Sequence, residues 1–259
     1  MACKPVWVYI RAVPFLSDMK SVNLRLMTAN CLHRFGVEPS ALADFVRREA
    51  PDVLALQELS VAQARAIESL GDYPHGTMDP RDDSFGLGLL LRFPAEMRRL
   101  RLPLRDSWIA EIDLRALGAI PREGAAEVLQ ITNVHLTAPH HLPPWKMLWQ
   151  RHQQVRALDA HFRRNAPVRQ ILLGDLNSTP LFPAYHALCA RFRDAALIAA
   201  SRNGGRTHAT WAPRPGWRPL LRIDHALVDS SIDVKSLRVL PLAGSDHSAI
   251  LVDVTIPCD

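Results

Sequence analysis

Apolar residues in this chain fall into short runs that stop abruptly on acids, amides and imidazoles. The run ILLGDLNSTP shows the pattern: it is apolar through 168–173, apart from Arg169 and Gln170, breaks at Gly174, and continues as Asp175, Asn177, Ser178, Thr179 and Pro180. A run of this length bounded by Gly and Pro predicts a buried strand ending in a tight turn. If the turn starts extended, Asp175 and Asn177 point the same way. The plainer alternative is a turn in which both side chains bond their own backbone. Similar runs predict strands at 23–30, 52–58, 85–91, 108–114, 127–136, 221–229, 234–240 and 249–256. Helical spacing marks 39–50, 61–70, 145–165 and 182–192, with Pro39 opening the first helix and Gly71 closing the second. In the longest helix, Trp145, Leu148, Trp149, His152, Val155, Leu158 and Phe162 form one stripe, read as core-facing. The segment 201–219 is rich in Gly, Pro, Arg and Trp and reads as a long functional surface loop.

Many strands with few crossover helices predict an α+β fold, two mixed, largely antiparallel sheets flanked by helices. The 259 residues suit one large domain over 24–259, preceded at 1–23 by an N-terminal arm or edge strand. The apolar part of that arm is too short to span a bilayer and has no signal-peptide cleavage site, which leaves membrane-surface contact as its one membrane role. With 48% hydrophobic residues the chain can bury a sizeable core. The net charge of +5 favours a phosphate-bearing substrate. Cys3, Cys31, Cys189 and Cys258 have no metal-ligand spacing, so a reduced, cytoplasmic monomer is expected.

The predicted strand ends and turns supply Asn30, Glu58, His135, Asp175, Asn177, Asp224, Asp246 and His247. Each has an ordinary reading alone, as a cap, a core histidine or a turn former. Together they offer oxygen ligands for a hard divalent cation and no cluster suited to zinc. Magnesium keeps waters and takes one or two carboxylates, which fits Glu58 with Asp246 and help from Asn30; manganese is the expected substitute.

The segments TANCL, LALQE, NVHL, GDLNSTP, RIDHALV and GSDHSAI, in this order and spacing, resemble the endonuclease/exonuclease/phosphatase superfamily, the group of exonuclease III and pancreatic deoxyribonuclease. The resemblance runs over nearly the whole chain. It implies a four-layered α/β/β/α sandwich and magnesium-dependent cleavage of a phosphate ester. It places metal binding on Asn30, Glu58 and Asp246, the water-activating acid on Asp175, a phosphate-binding amide on Asn177, and a phosphate-contacting imidazole on His247 paired with Asp224. His135 matches branches that use histidine there. Cys31 and Leu32 after the first Asn depart from the apurinic branch and argue against abasic-site cleavage.

The expected reaction is in-line attack by an Asp175-activated water, with Arg222 as a further phosphate contact. Arg206, Arg214 and Arg218 beside Trp211 and Trp217 favour a nucleic-acid substrate. The apolar arm favours a phosphatase or lipid phosphodiesterase at a membrane. A catalytically inactive phosphate-binding module is the third reading.

Overall fold

The computed structural model describes residues 21–33, 36–118, 128–138, 143–165 and 169–257. The apolar part of the expected arm, Cys3 and Cys258 lie outside them. In chain order the elements are β1 (Ser21–Asn30), α1 (Pro39–Glu49), β2 (Val53–Gln57), α2 (Val61–Glu68), β3 (His75–Asp79), β4 (Leu87–Leu91), β5 (Glu96–Leu100), β6 (Ser107–Asp113), β7 (Val128–His135), α3 (Pro144–Arg164), β8 (Arg169–Asp175), α4 (Pro183–Cys189), β9 (Arg193–Asp194), α5 (Ala195–Asn203), β10 (Asp224–Val228), β11 (Asp233–Pro241) and β12 (Ser248–Pro257). The strands form two six-stranded sheets, in the orders β11-β12-β1-β2-β4-β3 and β5-β6-β7-β8-β10-β9. Pairing is antiparallel except at β1–β2 and β7–β8, which run parallel at the centre of each sheet.

Alternation along the strands sorts the layers. Leu24 and Leu26 of β1 face the second sheet, in a core shared with Val53, Ile131, Leu173 and Ala226. Met27 and Ala29 face outward beneath Leu42, Phe45 and Val46 of α1 and Ile67 of α2. On the far side, Val134 and Leu172 lie beneath Leu158 and Phe162 of α3 and Tyr185 and Leu188 of α4. The result is the expected helix, sheet, sheet, helix sandwich. Each fully buried Leu or Phe in these layers contributes about 1.5–3 kcal/mol. Local signals agree: the Glu38 side chain accepts from Ala41 N–H ahead of Pro39, and Ser60 with Gln63 closes a reciprocal cap on α2.

The differences from the sequence reading have physical causes. β3 and β5 are edge strands, HGTMD and EMRRL, too polar and exposed to show a core-facing alternation. The expected loop at 201–219 starts later, because α5 runs to Asn203 and ends on Gly204. Ser21 to Asn23 belong to β1, which pairs with β12 and β2. The α3 stripe is core only in its second half. Trp145 and Trp149 are 70% and 61% exposed, and the face turned inward carries Met147, Arg151 and Gln154 ahead of Leu158 and Phe162. Periodicity finds a face of a helix but not whether anything covers it. No helix among the described residues is long and apolar enough to cross a membrane.

Two details aim the sheet edge where the chemistry gathers. Between the sheets, Gln57 Nε2 donates to Asn133 Oδ1 (2.7 Å) and Thr28 Oγ1 (3.0 Å). Asn133 Nδ2 returns bonds to the Leu56 and Gly88 carbonyls (3.0 and 2.7 Å). Gly174 has φ +138°, and a Cβ there would meet the Val134 carbonyl oxygen at 1.9 Å. The next residue is Asp175, so the glycine sets how close β8 lies to β7 at its functional end. Gly174→Ala combines a backbone clash with a conformation closed to L side chains, and is expected to cost about 3 kcal/mol or more. Urea denaturation checks this: an unchanged midpoint would show that β8 does not need the close approach.

Candidate active site

The parallel pairs bring four strand ends to one edge. β1 ends on Asn30, β2 leads into Glu58, and β7 and β8 end side by side with His135 opposite Asp175. The antiparallel neighbours start at the same edge, with Asp224 of β10 opposite Asp175 and His247 just ahead of β12. A cleft of about 600 Å³ opens over this edge and is lined by Glu58, Asp175, Asn177, Asp246 and His247 among others.

Asp175 is the hub. Its Oδ2 accepts from Asn30 Nδ2 (3.2 Å) and Asn177 Nδ2 (3.1 Å), and its Oδ1 from the Asn177 backbone N–H (2.7 Å). The turn bonds of the plainer reading are therefore present, on two side chains that also line the cleft. Asn30 Nδ2 also reaches Glu58 Oε1 (3.3 Å), while its Oδ1 accepts from Leu32 N–H (3.0 Å). Asn30 thus faces the two carboxylates with its nitrogen. In this arrangement it spaces them, and acting as a metal ligand would require the amide to turn over. Asn177 likewise has both amide protons engaged, by Leu136 O (2.9 Å) and Asp175, so a phosphate contact means exchanging one of those bonds.

His247 Nδ1 lies 2.9 Å from Asp224 Oδ2, which leaves Nε2 facing the cleft, 3.9 Å from Asp175 Oδ2 and 4.0 Å from Asp246 Oδ1. Ser245 ties this turn to the edge, donating to the Asn30 carbonyl (2.8 Å) and accepting from His247 N–H (3.0 Å). Asp246 Oδ2 accepts from Trp211 Nε1 (3.0 Å). Its buried Oδ1 has no hydrogen-bond partner among the described residues. His135 Nε2 lies 3.5 Å from Asp175 and 3.9 Å from Glu58. Its Nδ1 is 2.9 Å from Arg105, a group that can only donate, so the neutral ring carries its proton on Nε2.

Arg222 does not join them. It donates to Asp194 Oδ2 (2.5 Å) in a buried cluster with Tyr185 and His225, behind the cleft. The expected phosphate contact is therefore replaced by an ion pair that a carboxylate 28 residues away supplies. Three residues at the site were not readable from the sequence, two of which, His33 and Arg151, line the cleft. His33 Nδ1 lies 2.7 Å from Glu58 Oε2. Arg105 is buried against His135. Arg151, 2% exposed, donates to Ser178 Oγ (3.0 Å), the Thr137 carbonyl (3.2 Å) and Met147 Sδ (2.8 Å). Among the described residues no carboxylate pairs with Arg151. Only the helical position of Arg151, four residues past Met147, carries any signal of its direction.

Burial, then the facing Asp224 carboxylate, push Asp175 up to about 7, against the pull of His247 and the Asn177 N–H. Burial alone would lower the His247 pKa, but Asp224, followed by Asp175 and Asp246, outweighs it and raises it to about 10. A cationic imidazole beside a carboxylate near its midpoint is an acid–base pair at neutral pH. Asp175, Asp224 and His247 also lie close enough to hold a metal, with ligand atoms within 4.8 Å of one another. A protonated His247 bound to Asp224 is a poor ligand, because metal binding needs the neutral ring. The Glu58 and Asp246 oxygens suit a hard cation better.

A sequence profile of the Endonuclease/Exonuclease/phosphatase family matches residues 27–247, and the chain belongs to that family. Solved structures share its fold. The human Nocturnin catalytic domain is 19% identical, with TM-score 0.67 over 92% of this chain and 96% of that one. A humanized D. rerio TDP2 is 18% identical, with TM-score 0.68 over 90% and 98%. A family protein from Bacteroides thetaiotaomicron is 15% identical, with TM-score 0.67 over 92% and 99%. A search of curated protein sequences found no match.

The His247 shift has a consequence for stability. Its pKa is raised above the ordinary 6.5, so its contribution is complete below that pH and is lost as pH climbs toward about 10. Asp175 is raised too, but its stabilisation has gone once pH passes about 7. Cys31, Cys189, Tyr73 and Tyr185 are also raised by burial and add alkaline losses of their own, so the difference between wild type and His247→Gln is what isolates His247. EDTA-treated protein is expected to lose on the order of a few kcal/mol between neutral pH and the upper limit, and His247→Gln to show a much flatter profile. Parallel pH profiles of the two proteins in urea denaturation would contradict the Asp224–His247 pairing.

Proposed function

We propose that the chain is a magnesium-dependent phosphodiesterase. The observation that carries this reading is the meeting, at one sheet edge, of the Asp175 carboxylate held by Asn30 and Asn177 with the His247 imidazole whose Nδ1 is bound by Asp224, beside the carboxylates of Glu58 and Asp246. Family members are metal-dependent hydrolases of phosphoester bonds, which supports the same reading.

A phosphodiester repels nucleophiles through its negative charge. Asp175 accepts the proton of an attacking water, and its pKa near the working pH suits a general base. Asn30 and the Asn177 N–H keep its oxygens fixed. His247, with Nδ1 held by Asp224, directs Nε2–H at the phosphoryl oxygens as charge builds on them. His135 presents Nε2–H to the same wall, its tautomer set by Arg105. The unpartnered Asp246 Oδ1 and the Glu58 carboxylate fit a hard divalent cation, which when bound neutralises phosphoryl charge and stabilises the leaving oxygen. Magnesium is the assignment and manganese the substitute. The basic net charge and the exposed Arg206, Arg214 and Arg218 keep nucleic acid among the substrates.

Asp175→Asn and His247→Ala are each expected to lower kcat on bis(p-nitrophenyl) phosphate by about 10²–10⁴-fold, with unchanged circular dichroism. EDTA should abolish turnover, and Mg²⁺ or Mn²⁺ restore it. Near-wild-type rates in either purified variant would overturn the assignment. Trp211→Phe removes the donor that orients Asp246. It is expected to raise the Mg²⁺ concentration for half-maximal rate about 10–100-fold while keeping kcat at saturating metal; an unchanged Mg²⁺ titration would remove Asp246 from the metal set.

A further inference from the structure

The uncovered stripe of α3 lies beside the cleft. Trp145, Leu148 and Trp149 are exposed on its first turns, while Met147 between them lines the cleft. Leu181, just ahead of α4, is 90% exposed, and its neighbour Phe182 lines the cleft. On the opposite wall Leu220 and Leu221 are exposed on the loop before β10, with Leu221 lining the cleft and Trp217 standing out nearby. Single exposed apolar residues are ordinary, but a set of large ones around one opening marks a binding surface. From Phe182 and Arg151 an apolar groove of about 240 Å³ continues between α3 and α4, past Leu148, Val155 and Ala187.

Charge identifies what the surface meets. The three stretches that carry the apolar rim, 143–158, 176–193 and 195–223, hold ten Lys and Arg residues and none of the chain's 26 acids; the exposed acid that lines the opening, Asp83, comes from the separate loop between β3 and β4. Lys146, Arg156, Arg206, Arg214 and Arg218 are exposed and, among the described residues, form no ion pair. Tryptophan beside leucine, interleaved with unpaired basic side chains, suits the boundary between acyl chains and anionic headgroups. A nucleic acid would satisfy the arginines and stack on a tryptophan but would leave Leu148, Leu181 and Leu220 in water. A protein partner's interface core would be depleted of charge.

We infer that this rim docks on an anionic lipid surface, and that the phosphoester entering the cleft belongs to an amphiphile whose apolar part takes the groove between α3 and α4. Arg151 lies where cleft and groove meet, a buried guanidinium that pairs with no carboxylate among the described residues, placed to face the headgroup phosphate. The substrate class rests on the phosphodiesterase reading above; the docking does not.

Docking is therefore tested without turnover. The full chain in EDTA is sedimented with vesicles of phosphatidylcholine alone or mixed with phosphatidylglycerol. It is expected to bind the anionic vesicles, more weakly as salt rises, with a blue shift of tryptophan emission. The double variant Trp149→Ser, Leu181→Ser should lose about tenfold or more in vesicle affinity while hydrolysing soluble bis(p-nitrophenyl) phosphate at the wild-type rate. Arg214→Glu with Arg218→Glu should weaken binding to the anionic vesicles. Three outcomes would overturn the inference: no vesicle binding by the wild type, binding untouched by both double variants, or a self-association or duplex-DNA affinity that the Trp149, Leu181 variant abolishes in place of vesicle binding. Inactivity toward every phosphodiester, with vesicle binding intact, would instead count against the reaction alone.

Discussion

The amide clasp between Gln57 and Asn133 is the contact on which the site depends most. The two sheets share no strand, yet Asn30 and Glu58 come from one and Asp175 and His135 from the other. Apolar packing between sheets is strong but non-directional, and alone would tolerate a small slide. The clasp does not, because both amides are buried and bond each other across the gap, with Asn133 reaching the Leu56 and Gly88 carbonyls of the facing sheet while Gln57 is anchored by Thr28 of its own. A slide would strand several polar groups out of water at about 1–3 kcal/mol each. The sheets are thus locked just beneath the edge where Asn30 Nδ2 bridges Glu58 and Asp175.

Above the clasp, precision comes from backbone conformations that most sequences avoid. Leu32, Glu58 and Asn177 all have positive φ, near +50°, and all three line the cleft. Left-handed backbone at a non-glycine residue persists only where the surroundings over-determine it. Here they do. Leu32 N–H is held by Asn30, Glu58 by Asn30 and His33, and Asn177 by Asp175 and Leu136. The strain turns the chain sharply at each strand end, where Glu58 and Asn177 themselves line the cleft. The same rigidity explains the paired shifts of Asp175 and His247. Groups free to move apart would relax into water, whereas fixed strand ends keep two carboxylates and an imidazole in contact and share the charge among them.

How far the sequence reveals this depends on where each signal resides. β2, β8 and β10 are legible because they are buried on both faces and therefore read as apolar runs with a polar end. β3 and β5 are not, because an edge strand needs neither alternation nor hydrophobicity. The site residues at strand ends, Asn30, Glu58, His135, Asp175, Asp224 and His247, are visible for the same reason: a polar residue directly after a buried run has nowhere to go but the edge. Arg222 follows the same rule and misleads, since its face is decided by Asp194, a partner on another strand. His33, Arg105 and Arg151 lie outside any run, and their bonds are to a distant carboxylate, imidazole, hydroxyl or carbonyl. No local pattern encodes His33 or Arg105, and only the helical spacing from Met147 hints at Arg151.

The two ends of the cleft oppose each other in charge, and that opposition orients a substrate. At the sheet edge Glu58, Asp175, Asp224 and Asp246 concentrate negative charge that the His247 imidazolium and the Arg105 and Arg151 guanidiniums offset in part, so a phosphate arriving there without a bound cation meets carboxylates first. The apolar rim on α3, α4 and the loop before β10 carries no acid and has the reverse bias, with Asp83 on a separate loop. A phosphoester held by the rim's arginines and apolar side chains reaches the carboxylate end already anchored, and the free energy of that contact offsets the repulsion at the reacting phosphorus. The α3 stripe, which helical spacing alone assigns to the core, thereby acquires a use: its first two turns overhang the sheet edge because the surface they cover lies outside the chain.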